Sequence, residues 1–303
     1  MKDIMQVVED TAVKLLKMAA TELPTQVKET LLKAENDTEG ALGKSQLHAI
    51  NENIKLASTN SKPMCQDTGV VAFFVKIGDK FPLRSEVKTA LINATKKATE
   101  KVPLRPNAVD MFQGNTKNNV GLRGYVPWFY FDLVEGDSCE IIAMPKGGGS
   151  SNVGKMKMIP PGKGIKGVKE FVIEAVAAAG PLACPPYTVG VGVGGGEDMC
   201  MNLAKKALLR PLYQYHEDEK IAALENELIR LLNKLEIGAM GLGEGPSVLD
   251  VHMEFAARHP ASLPVGVVIS CWALRHAGAT IDKEGNITWH PTDALHYVHK
   301  KEN

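Results

Sequence analysis

The chain is predicted to have an α+β fold, with a helical N-terminal layer over residues 1–60 packed on a mixed-sheet domain, the whole forming a single domain over residues 1–303. Three observations predict it. Residues 3–55 carry apolar side chains at helical spacing. From Cys65 onward, short β-branched and aromatic runs alternate with helical stretches. Those strands and helices lack the regular βαβ rhythm of a doubly wound sheet, which favours α+β over α/β.

Each element has a local reason. Ile4, Val7, Val8, Val13, Leu15, Leu16 and Met18 fall roughly at helical spacing, and Pro24 stops the run. A second helix is expected to about Ala34 and, after the loop ENDTEG, a third over ALGKSQLHAINENIKLAST. This block reads as a packing layer that could double as a dimer surface. VVAFFVKIG is expected to be a buried strand and VKTALINATKKATEKV a helix. WFYFDLVEGDSCEIIAMP, with turn residues at Glu135–Asp137, reads as a hairpin. KGGGSSNVGKMKMIPPGKG reads as a Gly/Lys-rich loop, and KGVKEFVIEAVAAAG as a helix ended by Gly180. YTVGVGVGGG is expected to be a strand entering a glycine loop, with a helix over EDMCMNLAKKALLRPL and a charged one over HEDEKIAALENELIRLLNKLEIG. HMEFAARH is expected to be helical, VGVVISC a strand, and the tail fades into polar residues.

Composition narrows the function. Lys+Arg and Asp+Glu balance at 35 each, so no net charge points to nucleic acid or an anionic membrane. The longest apolar run, around Leu263–Ala273, is too short to cross a bilayer, and the N-terminus is not a signal-peptide core. Five scattered cysteines without an export signal point to reduced thiols in the cytoplasm, available as metal ligands.

Local context sorts these cysteines. Cys65 in KPMCQDTG, Cys184 in LACPPY and Cys271 after VGVVIS sit at the ends of elements, where side chains can converge; Cys139 and Cys200 read as core residues. Three thiolates on a four-iron cluster would leave one iron open to substrate as a Lewis acid. The spacing alone carries little, and inert thiols are the alternative on local sequence. Two other metal or cofactor readings are weaker. His252 and His259 are seven apart and would share a helix face, but there is no HExxH and no third zinc ligand. Gly190, Gly192 and Gly195 satisfy GxGxxG, yet Glu217 and Glu219 open a helix and do not end a second strand, so a dinucleotide site is not expected.

KPMCQDTG, LRPNAV, KGGGS, ACPPYTVGVGVGGG and RHPASLPVGVVISCW, in this order, resemble the α-type segment of class I fumarases and L-tartrate dehydratases over roughly residues 10–280. The resemblance implies a mixed-sheet catalytic domain, a [4Fe–4S] cluster on Cys65, Cys184 and Cys271, and a C4 dicarboxylate substrate. It further implies that Gln66 and Asp67 lie at the substrate, Asp67 helping to hold the hydroxyl or water, and that Arg105 binds a carboxylate. The loop Gly147–Gly149, with Gly148 at its centre, would bring backbone N–H groups to an anion, and His259 would hydrogen-bond substrate or relay a proton. On local sequence each has a plainer alternative: an Asx turn at Asp67, a solvated Arg105, a flexible glycine loop, a capping His259.

The reaction so implied is fumarate plus water to malate. SSNVGKMKM is nearer the fumarase type, while Val126–Trp128, Leu235–Gly238 and the RHPAS context suit L(+)-tartrate dehydratases, which yield oxaloacetate. The family's β-type segment carries the proposed base, so a separate β subunit in an α2β2 heterotetramer is expected. A non-catalytic iron–sulfur or metal-binding scaffold is the rival from another class.

Overall fold

The computed structural model of the protein describes residues 3–102 and 104–290. In chain order the elements are α1 (Ile4–Thr21), α2 (Thr25–Asp37), α3 (Ala41–Asn60), β1 (Val70–Gly78) and α4 (Ser85–Lys101). A two-stranded ladder, β2 (Val109–Asp110) with β3 (Gly114–Asn115), precedes β4 (Trp128–Val134) and β5 (Ser138–Lys146). Then come α5 (Gly148–Asn152), β6 (Lys155–Met158), α6 (Gly164–Ala179), β7 (Tyr187–Val193), α7 (Glu197–Ala207) and α8 (Glu219–Asn233). β8 (Val248–Phe255), β9 (Pro264–Ser270), β10 (Ala277–Asp282) and β11 (Ile287–Trp289) complete the described chain. These elements divide into two units. Residues up to Thr25, Glu52–Gly148 and Arg275 onward form unit 1, and Gln26–Asn51 with Gly149–Leu274 form unit 2. The arrangement is α+β, as expected, and the N-terminal region is helical, but α1 serves unit 1 while α2 belongs almost wholly to unit 2.

Unit 1 is built on a mixed sheet in the order β11-β10-β5-β1-β4. β1 pairs parallel with β4 and antiparallel with β5. α1 packs on α4 and on β5 and β10. Val8, Ala12, Leu15 and Leu16 of α1 meet Phe73, Val75 and Ile141 in one core. Each such fully buried aliphatic side chain contributes roughly 1.5–3 kcal/mol. Asp3 caps α1 by accepting from the N–H groups of Met5 and Gln6 at 3.1 and 3.3 Å. The expected hairpin over 128–145 is corrected: both strands form, but β1 lies between them. The connection crosses the end of β1, where Gly136 accepts from the N–H of Lys80 at 2.8 Å. A β-carbon on Gly78 would fall 2.4 Å from the Gly136 carbonyl oxygen, so only glycine permits this crossing. The polar tail supplies β10 and β11; residues 291–303 lie outside the described residues.

Unit 2 holds a four-stranded sheet in the order β6-β9-β7-β8. β7 and β8 run parallel, and β9 returns antiparallel to β7. Val189 and Val191 join a core with Val172 and Val176 of α6 and Leu228 and Leu232 of α8. The alternate residues Gly190 and Gly192 face α7, where an added β-carbon would lie 2.0 Å from the carbonyl oxygens of Ala204 and Cys200. The glycine run thus answers to a helix seated directly on the strand. Two readings are corrected here. HMEFAARH is not helical: its first four residues finish β8, where His252 pairs with Gly190 of β7. Strand pairing along β7 outweighs the local helical spacing, and Ala256–His259 continue as loop. The Gly/Lys-rich stretch is not all loop, since α5 and β6 form within it and β6 pairs with β9.

Candidate active site

In unit 1, the loop between α3 and β1 presents Cys65, Gln66 and Asp67 in sequence. Asp67 is the best-anchored of the three. Its Oδ1 accepts from the Gly69 N–H at 3.0 Å, closing an Asx turn, and from Asn107 Nδ2 at 3.2 Å. Its Oδ2 accepts from the Gly148 N–H at 2.7 Å. The glycine loop therefore does bring a backbone N–H to an anion, and within unit 1 that anion is the carboxylate of Asp67. A β-carbon at Gly147 would stand 2.9 Å from Asp67 Oδ2, which explains a glycine at that position. Gln66 is exposed beside it.

Arg105 is held by its backbone. Its N–H donates to Thr68 Oγ1 at 2.9 Å, and its carbonyl accepts from Asn119 Nδ2 at 3.0 Å. Its side chain is exposed and, among the described residues, its guanidinium makes no hydrogen bond or ion pair. A fixed backbone carrying a free planar fork suits a carboxylate ligand. Unit 1 thus brings Asp67, Gly148 and the Thr68–Arg105 contact into one bonded group.

In unit 2, the antiparallel return of β9 along β7 sets Ser270 opposite Thr188, so Cys271 and Cys184 share one end of the sheet. The Trp272 N–H donates to the Cys184 carbonyl at 3.2 Å. Cys184 has φ 55°, a left-handed conformation that costs a side-chain-bearing residue about 1–2 kcal/mol. Tyr187 braces its turn: the buried hydroxyl donates to the Gly180 carbonyl and accepts from the Ala183 N–H at 3.3 Å. Burial, and then the nearby sulfurs of Cys184 and Cys271, push this phenol up to about 12, against a lowering by the Ala183 bond.

Thiol chemistry separates the five cysteines as expected. Cys139 and Cys200 are fully buried, and desolvation pushes the first up to about 12 and raises the second. Such thiols resist the deprotonation that metal binding requires. Cys184 is exposed, and Cys65 and Cys271 are half-buried. This donor set fits a thiolate-ligated cluster. Among the described residues, no group of three or more His, Cys, Asp or Glu side chains is placed to hold a metal ion; Cys65 belongs to unit 1, and Cys184 and Cys271 to unit 2.

His259 sits elsewhere. It lies in the exposed loop between β8 and β9, its Nδ1 accepting from the Ala261 N–H at 3.1 Å. That bond leaves Nε2 as the protonated nitrogen of the neutral ring. The seven residues of β9 separate it from Cys271, roughly 23 Å at 3.3 Å per residue. Unit 2 therefore does not bring His259 to its cysteine end. His252, the other half of the zinc alternative, is a satisfied core residue, bonded to Asp250 Oδ2 at 3.2 Å and to the Ala207 carbonyl at 3.1 Å.

Several supporting residues escaped the sequence reading. Asn107 stands inside the LRPNAV motif and could have been singled out there. Thr68, Asn119 and Tyr187 carry no local signal beyond their neighbours. Nor did any charge pattern announce the buried pair of Arg210 and Glu225 in unit 2, whose side chains are each 3% exposed.

Unit 1 thus carries an aspartate fixed by two backbone amides and the Asn107 side chain, and unit 2 an exposed and a half-buried thiol at one end of its sheet. The fumarate hydratase (Fumerase) family model matches residues 9–280. A Methanocaldococcus jannaschii protein named "Putative L(+)-tartrate dehydratase subunit alpha" is 46% identical over 273 residues, covering 89% of this chain and 96% of its own. Proteins named L(+)-tartrate dehydratase subunit alpha from Escherichia coli strains UTI89 and K12 are 39% and 40% identical, over 90% and 85% of this chain and 89% and 85% of theirs. The chain belongs to the fumarate hydratase (Fumerase) family and is of hydro-lyase type.

Proposed function

We propose that both units act together as one α-type catalytic domain, residues 1–303, of a [4Fe–4S] hydro-lyase that interconverts fumarate plus water and malate in the cytoplasm. The observation that carries this reading is Asp67, a carboxylate fixed by three N–H donors two residues after Cys65. Cys65, Cys184 and Cys271 are the proposed ligands. When bound, the cluster supplies a Lewis-acidic iron that one carboxylate and the hydroxyl of the substrate can reach. Asp67 and Gln66 orient the hydroxyl, and Arg105 takes a carboxylate bidentately. With Oδ2 already accepting from Gly148, Asp67 meets the substrate with a fixed orientation rather than by swinging in. Gly148 accordingly contributes through Asp67 as well as by closeness of its backbone to the substrate.

The family's β-type segment supplies the base that removes the adjacent proton, so the working enzyme is an α2β2 heterotetramer. Within it His259 donates from Nε2 or relays a proton. Its separation from Cys271 along β9 supports a role at the cluster of a second α copy.

A second substrate reading has its own support, since the relatives at 39–46% identity are named for L(+)-tartrate dehydratase. Tartrate differs from malate by one hydroxyl, and discrimination of that size rests on one or two polar contacts. Anaerobic co-expression with the β subunit, followed by turnover of malate, fumarate and L-tartrate, decides between them. No turnover of any of the three, with a cluster spectrum indifferent to all, would sink the enzyme reading and leave the metal scaffold. Cys184→Ser is expected to lower bound iron sharply, whereas Cys200→Ser leaves it unchanged.

A further inference from the structure

Four residues beyond Cys271, Arg275 belongs to unit 1 and is 3% exposed. Its Nη2 donates to the backbone carbonyl of Asp67 at 2.7 Å, and its Nε to the carbonyl of Pro145 at 3.3 Å. Asp67 precedes β1 and Pro145 lies near the end of β5, so one guanidinium ties together the two segments whose meeting forms the Asp67–Gly148 contact. The packing is close: a β-carbon on Gly147 would stand 3.7 Å from Arg275 Nη2 as well as 2.9 Å from Asp67 Oδ2. Nη1 is buried and, among the described residues, has no acceptor. A guanidinium that served only to fill and satisfy the interior would have its N–H groups paired. This one is committed on the side of the Asp67 loop and unsatisfied elsewhere.

We propose that Arg275 is the positioning residue of the active site, fixing the Cys65–Asp67 loop against the Pro145–Gly148 loop so that the carboxylate of Asp67 keeps one orientation. The inference rests on the functional reading of Asp67 above and adds to it a residue that acts through Asp67. Only a fork can do this. A lysine at the position has a single ammonium on a flexible stem and cannot hold two carbonyls on separate segments with fixed geometry. Glutamine has both of its donors on one nitrogen of a shorter side chain, so it does not reproduce the separate Nε and Nη2 positions. Displacement of a reacting group by about 1 Å is enough to cost on the order of 100-fold in rate.

The test uses the full chain in two states. In the cluster-free chain, Arg275→Lys and Arg275→Gln are compared with wild type by amide hydrogen exchange. Peptides covering residues 66–70 and 146–149 are expected to exchange at least about tenfold faster, with the β1 and β5 interiors within about twofold. In the α–β holoenzyme, kcat is expected to fall at least about 30-fold, with KM within about threefold and iron content unchanged. Unchanged local exchange together with unchanged kcat overturns the proposal. So does global unfolding of both variants, or iron loss at a preserved kcat per cluster, since either makes Arg275 a structural residue. A wild-type holoenzyme that turns over no dicarboxylate defeats the functional reading instead, and leaves the exchange result to stand by itself.

Discussion

Replacing Asp67 with asparagine removes one acceptor from a side chain that has three donors aimed at it. If the amide oxygen takes the Oδ1 place, it still accepts from Gly69 at 3.0 Å and Asn107 at 3.2 Å, but the NH2 group then faces the Gly148 N–H at 2.7 Å, donor against donor. In the opposite orientation two donors are lost instead of one. The first orientation is therefore preferred, and it forfeits one charge-assisted bond worth roughly 1.5–3 kcal/mol. The two remaining bonds become neutral acceptors of about half the strength. The expected cost to unit 1 is about 3–6 kcal/mol, read as the shift in urea unfolding of the cluster-free full-length chain. Amide exchange at Gly148 is expected to quicken in parallel. In the holoenzyme kcat should fall at least about 100-fold, because the group proposed to orient the hydroxyl has lost its charge and its bond to Gly148. An Asp67→Asn chain within about 0.5 kcal/mol of wild type, with Gly148 as protected as before, would mean that this carboxylate is not held as described.

Other perturbations have equally defined outcomes. Gly192→Ala places a β-carbon 2.0 Å from the Cys200 carbonyl and must push α7 off β7, at a cost of about 3 kcal/mol in thermal or denaturant unfolding. His276 is buried in unit 1 and desolvation lowers its pKa from 6.5 to about 4, so the fold keeps it neutral. Below the unfolded value the unfolded chain binds the extra proton. Stability is therefore full above about pH 7 and falls as pH drops from 6.5 toward 4, by about 2 kcal/mol at pH 5. His276→Gln should flatten that part of the profile. Co-expressing Cys65→Ser and His259→Asn α chains should restore part of the activity that each lacks alone, measured on the purified mixed assembly. Failure to complement would return His259 to a role outside the cluster site.

How far the residues announced this structure varies by element. The strand VVAFFVKIG is an uninterrupted β-branched and aromatic run, and β1 covers the same nine residues. The helix over KGVKEFVIEAVAAAG ends where Gly180 adopts φ 47°, as its position suggests. Pairing partners were less visible, because which strand neighbours which depends on contacts between distant segments. Hence β4 and β5 looked like a hairpin, although β1 separates them. HMEFAARH has helical spacing in isolation, but His252 lies on a strand whose neighbour β7 offers a glycine opposite it. At the site, Cys139 and Cys200 were legible as buried by their place within a strand-like run and a helix. Arg275 was not, since a lone arginine after a strand looks the same whether its guanidinium faces water or holds two carbonyls.

The return of β9 along β7 gives the sheet of unit 2 the character of a ruler. Eighty-odd residues part Cys184 from Cys271 in the chain, yet ladder register, together with the turn before β7, sets both at one end of the sheet. One added residue in either strand would turn the outlying sulfur to the other face and carry it about 3.3 Å along, and two would move it nearly 7 Å. These two strands therefore cannot be lengthened singly. Matched insertions opposite one another would be the tolerated kind, and an insertion scan across residues 187–193 and 264–270 reads that constraint directly as loss of bound iron.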